Sequence, residues 1–535
     1  MYNFQKTNNE CSECLSRGIC SDSPILSSLQ EIILLYLKEL SFYLIKLKEF
    51  GVKNEQIKET VIYSLGNLAL SVEYNQQQFR ELTNKLNDYV VESKTIYKNF
   101  CEKNSLDIES IKTYFKHHKN IYLSDAIKRG EKYFLKKAEL LNPNQKALFD
   151  IMVFLIKSMS IKLMELKRMG KDHDQGYYAI LSLLSSINVT NFSQEQAKRA
   201  IDDVLDIYYD ILRTIFYTQN ELYGPIRQTE VASSAQLGKA ILVSGSDFNK
   251  LERVLKACEG KEIGVYTHGV EMLFAHAFPK LQSHPNLKGH FGSGFDSYMM
   301  DFASFPGSIL MTRINLEKSE YLYRGRLFTM DPVAPPGIIK ILDGDFEPLI
   351  KAALESRGFN KIIEKPPIKV GFSYDEIEYK MAEITDKILN KQIKHLYIVG
   401  LLNYPVLQKQ YFESFFELLP SDCYAISLSY NKNRENVYHL DRINDYVLFY
   451  RILKEIKNKI PLNKMPLSIF LTRCDKHTIS NLLYLSHLGI KHIYMGKCAT
   501  NIINPTLFNT IKEVYGIKEI SDPKTDLEET LGQQL

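Results

Sequence analysis

Apolar residues in the first 230 positions recur at helical spacing. From Leu29 to Phe50 they fall at i, i+3, i+4 and i+7, Pro24 suits a first helical turn, and Gly51 suits a C-cap. The spacing predicts a long amphipathic helix. A shift of 119 residues finds its echo, with 148–170 overlaying 29–51. Leu29 meets Leu148, Leu34 meets Val153, Lys38 meets Lys157 and Ser41 meets Ser160. Leu44, Leu47 and Lys48 meet Leu163, Leu166 and Lys167, and the glycines coincide. Any two amphipathic helices overlay in their apolar positions, but the matched Lys and Ser go further. The reading is two copies of a helical bundle, about 24–125 and 145–225, joined by a polar stretch around Asn142-Pro143-Asn144.

After 239 the pattern changes. Short buried-strand runs begin at Ala240, Ile263 and Ser308, and a second series begins at His395, Cys423, Leu467 and His492, with helical stretches between. Strands alternating with helices predict parallel sheets with right-handed crossovers. The expected fold is therefore multidomain: an α-helical domain of two helical-bundle repeats, then two α/β domains with parallel sheets. The expected boundaries are a cysteine-containing segment 1–23, the helical domain 24–235, a first α/β domain 236–360 and a second 361–535. The polar end from Asp522 to Leu535 is expected to fray.

Composition narrows the chemistry. Lys plus Arg is 67 against 63 Asp plus Glu, a net charge of +4 over 535 residues. That gives no electrostatic reason to expect nucleic acid. No apolar run reaches the roughly 18 residues of a membrane span, and the N-terminus lacks an apolar signal core, so no membrane association and a cytoplasmic location are expected. Of eight cysteines, only Cys11, Cys14 and Cys20 are grouped. Their C-x2-C-x5-C spacing is one ligand short of a four-thiolate site, with Cys101 a distant fourth. A bound iron–sulfur cluster or zinc and a metal-free reduced trio both remain open. Cys474, beside Asp475, reads as buried and inert. The glycine-rich run Gly289 to Gly294 follows no obvious strand and lacks dinucleotide or P-loop spacing, so it reads as structural.

Several stretches resemble the hybrid-cluster protein family, the prismane proteins or hydroxylamine reductases. They are Ala240-Ile-Leu-Val-Ser-Gly-Ser-Asp247, Val265-Tyr-Thr-His-Gly-Val-Glu-Met-Leu273, Phe305-Pro-Gly-Ser-Ile-Leu-Met-Thr312 and Arg326-Leu-Phe-Thr329. Leu488 to Gly496, Asn504-Pro505 and Tyr515 to Lys518 continue the match. Cys14 to Cys20 with Leu29-Gln30 looks like the end of that family's N-terminal iron–sulfur motif. The resemblance implies a mixed oxygen- and sulfur-bridged iron cluster where three domains meet, a relay cluster near the N-terminus, and reduction of hydroxylamine or nitric oxide.

The implied ligands are largely replaced. Ser246 stands where the family has histidine. Glu271 keeps a carboxylate, but Val270 is inserted before it. Asn315, Leu401, Tyr430 and Ile443 stand at the four cluster cysteines, and Asp475 and His477 at the Glu-x-Lys pair. Leu, Ile and Tyr fill a void, and soft ligation cannot be made from them. The expectation is a family member that lacks the hybrid cluster and acts as a non-redox binding or regulatory protein, as a homo-oligomer or with an active paralogue. The alternative is an oxidoreductase acting on hydroxylamine or nitric oxide through a remodelled site. Any residual metal is expected on Glu271, Asp475 and His477, which otherwise are plain polar residues lining a shrunken cleft. Leu401, Tyr430 and Ile443 are expected to converge on one region. Substrate, electron donor and oligomeric state are not legible.

Overall fold

The computed structural model describes residues 24–68, 76–187, 192–292, 298–312, 321–331, 334, 337–342, 344–400, 406–428, 434–440, 446–471, 476–496 and 505–532. Its helical region runs α1 (Pro24–Glu49), α2 (Glu55–Leu68), α3 (Gln76–Lys103), α4 (Leu123–Leu140), α5 (Pro143–Arg168), α6 (Asp174–Ser186) and α7 (Gln194–Tyr223). The 119-residue shift extends well beyond the first helix. It carries the start of α1 onto the start of α5, proline on proline, and the start of α2 onto that of α6. It brings the start of α3 within one residue of that of α7. Both copies close their first helix with the same turn. Val52 N–H donates to Leu47 O at 2.9 Å, and Lys171 N–H donates to Leu166 O at 3.0 Å. Gly51 and Gly170 take φ of 74° and 76° in these turns. A left-handed residue followed by a 6→1 hydrogen bond satisfies the last helical carbonyls, and glycine adopts it without a Cβ clash.

The copies interlock reciprocally. α1 packs on α6, the second helix of the other copy, and α5 packs on α2. The matched serines are buried within their helices. Ser41 Oγ donates to Lys38 O at 2.7 Å and Ser160 Oγ to Ile156 O at 2.8 Å. A hydroxyl bonded to its own preceding turn can be buried without an outside partner. α4 has no counterpart and packs along α1.

Beyond α7, β1 (Thr229–Val231) pairs antiparallel with β8 (Ile368–Val370). Between them lie β2 (Lys239–Ser244), β3 (Ile263–His268), β4 (Leu287–His290), β5 (Ser308–Met311), β6 (Leu327–Thr329) and β7 (Ile339–Lys340). They form a parallel sheet in the order β4-β3-β2-β5-β6-β7. A second parallel sheet takes β9 (His395–Val399), β10 (Cys423–Ser427), β11 (Val437–His439), β12 (Leu467–Leu471), β13 (His492–Met495) and β14 (Ile517–Glu519) in the order β11-β10-β9-β12-β13-β14. The two orders are the same winding. Each reverses direction beside its first strand, at β2/β5 and at β9/β12. Helices on both faces explain why Ala240 to Val243 and Leu396 to Val399 are uninterrupted buried apolar runs. The chain divides into two compact units: the helical region to Ile215 with 505–514, and the remainder, which holds both sheets.

Two expectations are corrected. The glycine-rich run does meet a strand, because Gly289 and His290 are the last residues of β4. A Cβ at Gly289 would lie 2.2 Å from Ala232 O, where His290 N–H donates at 2.8 Å. The close backbone approach demands glycine, and glycine erases the strand signal. The C-terminal end is not frayed from Pro523 to Leu531, which form a docked helix with Leu527 fully buried. Three tyrosines of the second sheet and its helices fasten it. Tyr411 OH donates to Asp526 Oδ2 at 2.6 Å and Tyr494 OH to Glu529 Oε2 at 3.1 Å, while Tyr397 OH and Thr530 Oγ1 bond at 2.7 Å. A polar segment expected to fray is thus a carboxylate-bearing partner for tyrosine hydroxyls.

A buried ion pair ties the first sheet together. The helix Phe248–Ala257 leaves β2 with Asp247 as its N-cap. Lys250 Nζ donates to Asp331 Oδ1 at 2.7 Å, two residues past β6, and also to Thr312 O, one residue past β5. One ammonium group therefore joins the ends of three strands.

Lys250→Met is expected to cost about 3–5 kcal/mol in urea unfolding, because Asp331 is left buried and unpaired, and Lys250→Met with Asp331→Leu should recover most of the loss. Gly51→Ala and Gly170→Ala should each cost about 1–2 kcal/mol for the left-handed conformation. Their effects should match each other and add within about 0.5 kcal/mol. Unequal costs would refute the equivalence of the two turns.

Candidate functional site

In a parallel sheet every strand ends on the same edge, and ligands of open α/β sheets sit there, where the strand order reverses. At the first sheet this place is the turn Ser244-Gly245-Ser246-Asp247. Thr312 N–H donates to Ser244 O at 2.8 Å, and the backbone N–H groups of Ser246 and Asp247 donate to Thr312 Oγ1 at 3.2 and 3.3 Å. Asp247 Oδ1 accepts from Lys250 N–H at 3.2 Å. The turn is held by backbone groups, a hydroxyl and a cap.

His268, the last residue of β3, lies beside it. With its Nε2–H donating to Asp301 Oδ2 at 3.2 Å, Nδ1 accepts from the Ser244 hydroxyl at 2.9 Å. The ring also packs on Phe302 at 5.1 Å between centroids. A hydroxyl on an imidazole lone pair is the pairing that activates serine nucleophiles. Here Ser244 is only 8% exposed, and the bond joins the ends of neighbouring strands β2 and β3. Both ring nitrogens are engaged.

One residue back, Thr267 Oγ1 lies 2.9 Å from His276 Nε2 and 2.9 Å from His290 Nδ1. His276 Nδ1 meets Gln282 Oε1 at 2.5 Å. Burial holds the His276 imidazole at about 4, so it is neutral near pH 7. With Nδ1–H donating to Gln282, its Nε2 accepts from Thr267. This cluster is again internally satisfied.

Of the residues singled out in the sequence, Ser246 lies in the turn, half-buried, and Glu271 in the short helix Val270–Leu273 that follows β3 on the same edge. Asn315, Leu401, Tyr430, Ile443, Asp475, Cys11, Cys14 and Cys20 lie outside the described residues. His477 belongs to the helix Lys476–His487, its side chain again outside them. The convergence of Leu401, Tyr430 and Ile443, and that of Glu271 with Asp475 and His477, therefore fall outside them too. What is described is the edge those residues follow in the chain: β11, β10, β9 and β12 are consecutive neighbours. Among the described residues no group of three or more His, Cys, Asp or Glu forms a metal site. Cys101, Cys258 and Cys423 are free and buried, as expected of scattered cysteines, and burial pushes the thiols of Cys258 and Cys423 up to about 11 and about 12.

Sequence reasoning missed Asp301, Lys250 and Asp331. Lys250 sits on an amphipathic helix at a position indistinguishable from a solvated lysine. Asp301 is far from His268 in the chain and carries no motif. Among the described residues no helix is long and apolar enough to cross a membrane.

The family model described as "Prismane/CO dehydrogenase family" matches residues 5–528. The chain is 27% identical over 534 residues to a hydroxylamine reductase of Methanocella arvoryzae, covering 97% of each. It is 26% identical over 533 residues to that of Syntrophobacter fumaroxidans, again covering 97% of each. A carbon monoxide dehydrogenase structure from Thermococcus sp. AM4 aligns with a TM-score of 0.46 at 10% identity, covering 95% of this chain and 87% of that one. With the match running through both sheets and the helical repeats, the chain belongs to the Prismane/CO dehydrogenase family.

Proposed function

We propose that this chain is a hydroxylamine-reductase-like protein that has lost the hybrid iron–sulfur–oxygen cluster and acts as a non-redox binding or regulatory protein in the cytoplasm. The observation that carries this reading is the donor chemistry of the C-terminal edge. A sulfur-bridged cluster needs thiolates, imidazole and carboxylates at fixed positions. Ser246 offers a hydroxyl where the family offers an imidazole. The neighbouring imidazole, His268, is held on both nitrogens by Ser244 and Asp301. His276 is held by Thr267 and Gln282. Leu401, Tyr430 and Ile443 bring no thiolate at three cysteine positions, and Asn315 brings none at the fourth. These residues do not fit the cluster, and no reaction step is derived through it. The partner on this reading is a second copy of the chain or an active relative. Cys11, Cys14 and Cys20 remain candidates for a separate iron–sulfur cluster.

A second reading keeps oxidoreductase activity on hydroxylamine or nitric oxide at a remodelled site of Glu271, Asp475 and His477. Glu271 favours it, since its carboxylate survives on the correct edge. Such a site would prefer a hard or borderline ion.

Iron and sulfide analysis after anaerobic purification tests both readings. In the Cys11→Ser, Cys14→Ser, Cys20→Ser triple variant the expected result is colourless protein without the thiolate-to-iron band near about 400 nm, and no hydroxylamine turnover with a chemical reductant. Several irons per chain persisting in that variant would overturn the first reading. Metal content that falls in Asp475→Ala and His477→Ala would establish the second.

A further inference from the structure

The modest net charge of the chain conceals an uneven distribution. Between 112 and 137 stand eight Lys or Arg and two Asp or Glu, a larger positive excess than the +4 of the whole chain. The stretch comprises most of α4 and the irregular segment that leads into it. The second helical copy is built without either, so the repeat itself does not call for them.

The stretch folds into one basic face. Lys128, Lys132 and Lys136 are exposed at i, i+4 and i+8 of α4, about 6 Å apart along its axis. The other side of α4 is spent on α1, where Ala126, Gly130 and Tyr133 are buried. A Cβ at Gly130 would lie 1.7 Å from Ser28 O, so the two backbones all but touch. The preceding segment is pinned alongside. Arg129 donates to Lys116 O at 3.1 Å, and the Tyr114 ring lies 5.2 Å from that of Tyr133. Asn87 of α3 donates to His118 O at 3.1 Å, and Asn84 and Arg80 donate to Ile121 O at 3.1 and 3.2 Å. Lys112, Lys116 and Lys119 are thereby held exposed beside the lysines of α4. Among the described residues no Asp or Glu pairs with Lys112, Lys116, Lys119, Lys128 or Lys132. Lys136 pairs with Glu139, itself exposed, at 3.0 Å.

Aromatic rings are interleaved with these cations. Lys112 Nζ lies 5.4 Å from the centre of the Tyr114 ring, and the Arg129 guanidinium 5.7 Å from that of Phe115. Tyr122 is 66% exposed, with the Arg80 guanidinium 5.9 Å from its ring centre. Arg80 takes at most one face of that ring, and the other can stack on a planar group. Protein interfaces are poor in lysine. A bilayer needs an apolar helix face to bury, and α4 has turned its own onto α1. A flexible polyanion with planar bases uses both the cations and the ring. We infer that this face binds single-stranded nucleic acid through its phosphates, with a base stacked on Tyr122. The inference is independent of whether the strand edges hold metal.

Fluorescence anisotropy of a labelled oligothymidylate strand titrated with the full chain tests it. Binding should be saturable, and its logarithm should fall against that of salt concentration with a slope of about −2 or steeper, as three or more phosphate contacts require. Lys128→Glu with Lys132→Glu should weaken binding at least about tenfold, and so should Lys116→Glu with Lys119→Glu. Lys351→Glu reverses a lysine that is exposed elsewhere and should change nothing. Tyr122→Ala should cost at least about fivefold with the salt slope unchanged, and Tyr122→Phe should retain affinity. The helical circular dichroism signal should be the same in every variant. Absence of saturable binding to the unaltered chain would overturn the inference. So would full affinity in Tyr122→Ala or in either lysine pair. Phosphatidylserine vesicles or polyglutamate that displace the strand at equal charge concentration would also overturn it, by showing a face that answers to charge alone.

Discussion

A sheet whose strands all run one way has a chemical edge and a structural edge. Every strand delivers its last carbonyl and its following loop to the same side. In this chain that constraint is met twice, with the same winding, and everything chemically distinctive about the larger unit gathers accordingly. The Ser244 turn, His268, Thr312 and Asp331 all sit where strands finish. The second sheet's β9, β10 and β12 finish at Val399, Ser427 and Leu471, shortly before Leu401, Tyr430 and Asp475 in the chain. The opposite ends hold closed contacts such as His395 of β9 against Ser468 of β12, 2.8 Å apart, with the imidazole held down at about 3 by burial and then by His492.

The edge of the first sheet also shows how a turn at a strand end is kept in shape by groups other than its own outward side chain. The backbone of the Ser244–Asp247 turn is fixed by Thr312 and by the cap on the following helix, and Lys250 fixes that helix to two more strand ends. None of these bonds uses the Ser246 side chain. The shape of this turn is therefore independent of what the side chain at position 246 is. The sequence motifs that carry the family resemblance follow the same logic. Arg326, for example, donates to the carbonyls of Phe302, Phe305 and Gly307 at 2.8, 2.5 and 2.8 Å, and so braces the Phe305-Pro306-Gly307 turn before β5.

The order of elements was legible because long buried strands and amphipathic helices write their period into the chain. The repeat was legible for a stronger reason, since polar residues matched along with apolar ones. What escaped the sequence depends on distant pairing. β4 was hidden by Gly289, whose necessity lies in the carbonyl of Ala232, one residue past β1. The terminal helix was hidden because its carboxylates bond to tyrosines 115 and 35 residues away. Asp301 and Asp331 acquire their roles only when folding brings them to His268 and Lys250. At the ligand positions the sequence gives identities, and the geometry of most of them lies outside the described residues.

The doubled helical region carries a folding hazard of its own making. Two three-helix copies of matched length, with the same opening proline and the same closing glycine turn, pack by swapping partners, each first helix seeking the second helix of its twin. Such pairing is degenerate: a first helix can satisfy much the same apolar stripe on the second helix of its own copy, and tandem repeats misassemble for this reason. α4 removes the degeneracy. It belongs to one copy only, lies along α1 and has no equivalent beside α5, so the two halves cannot trade places without losing it. Its sequence of exposed charge and modest burial understates its importance, which is to make an almost symmetric assembly fold in a single arrangement.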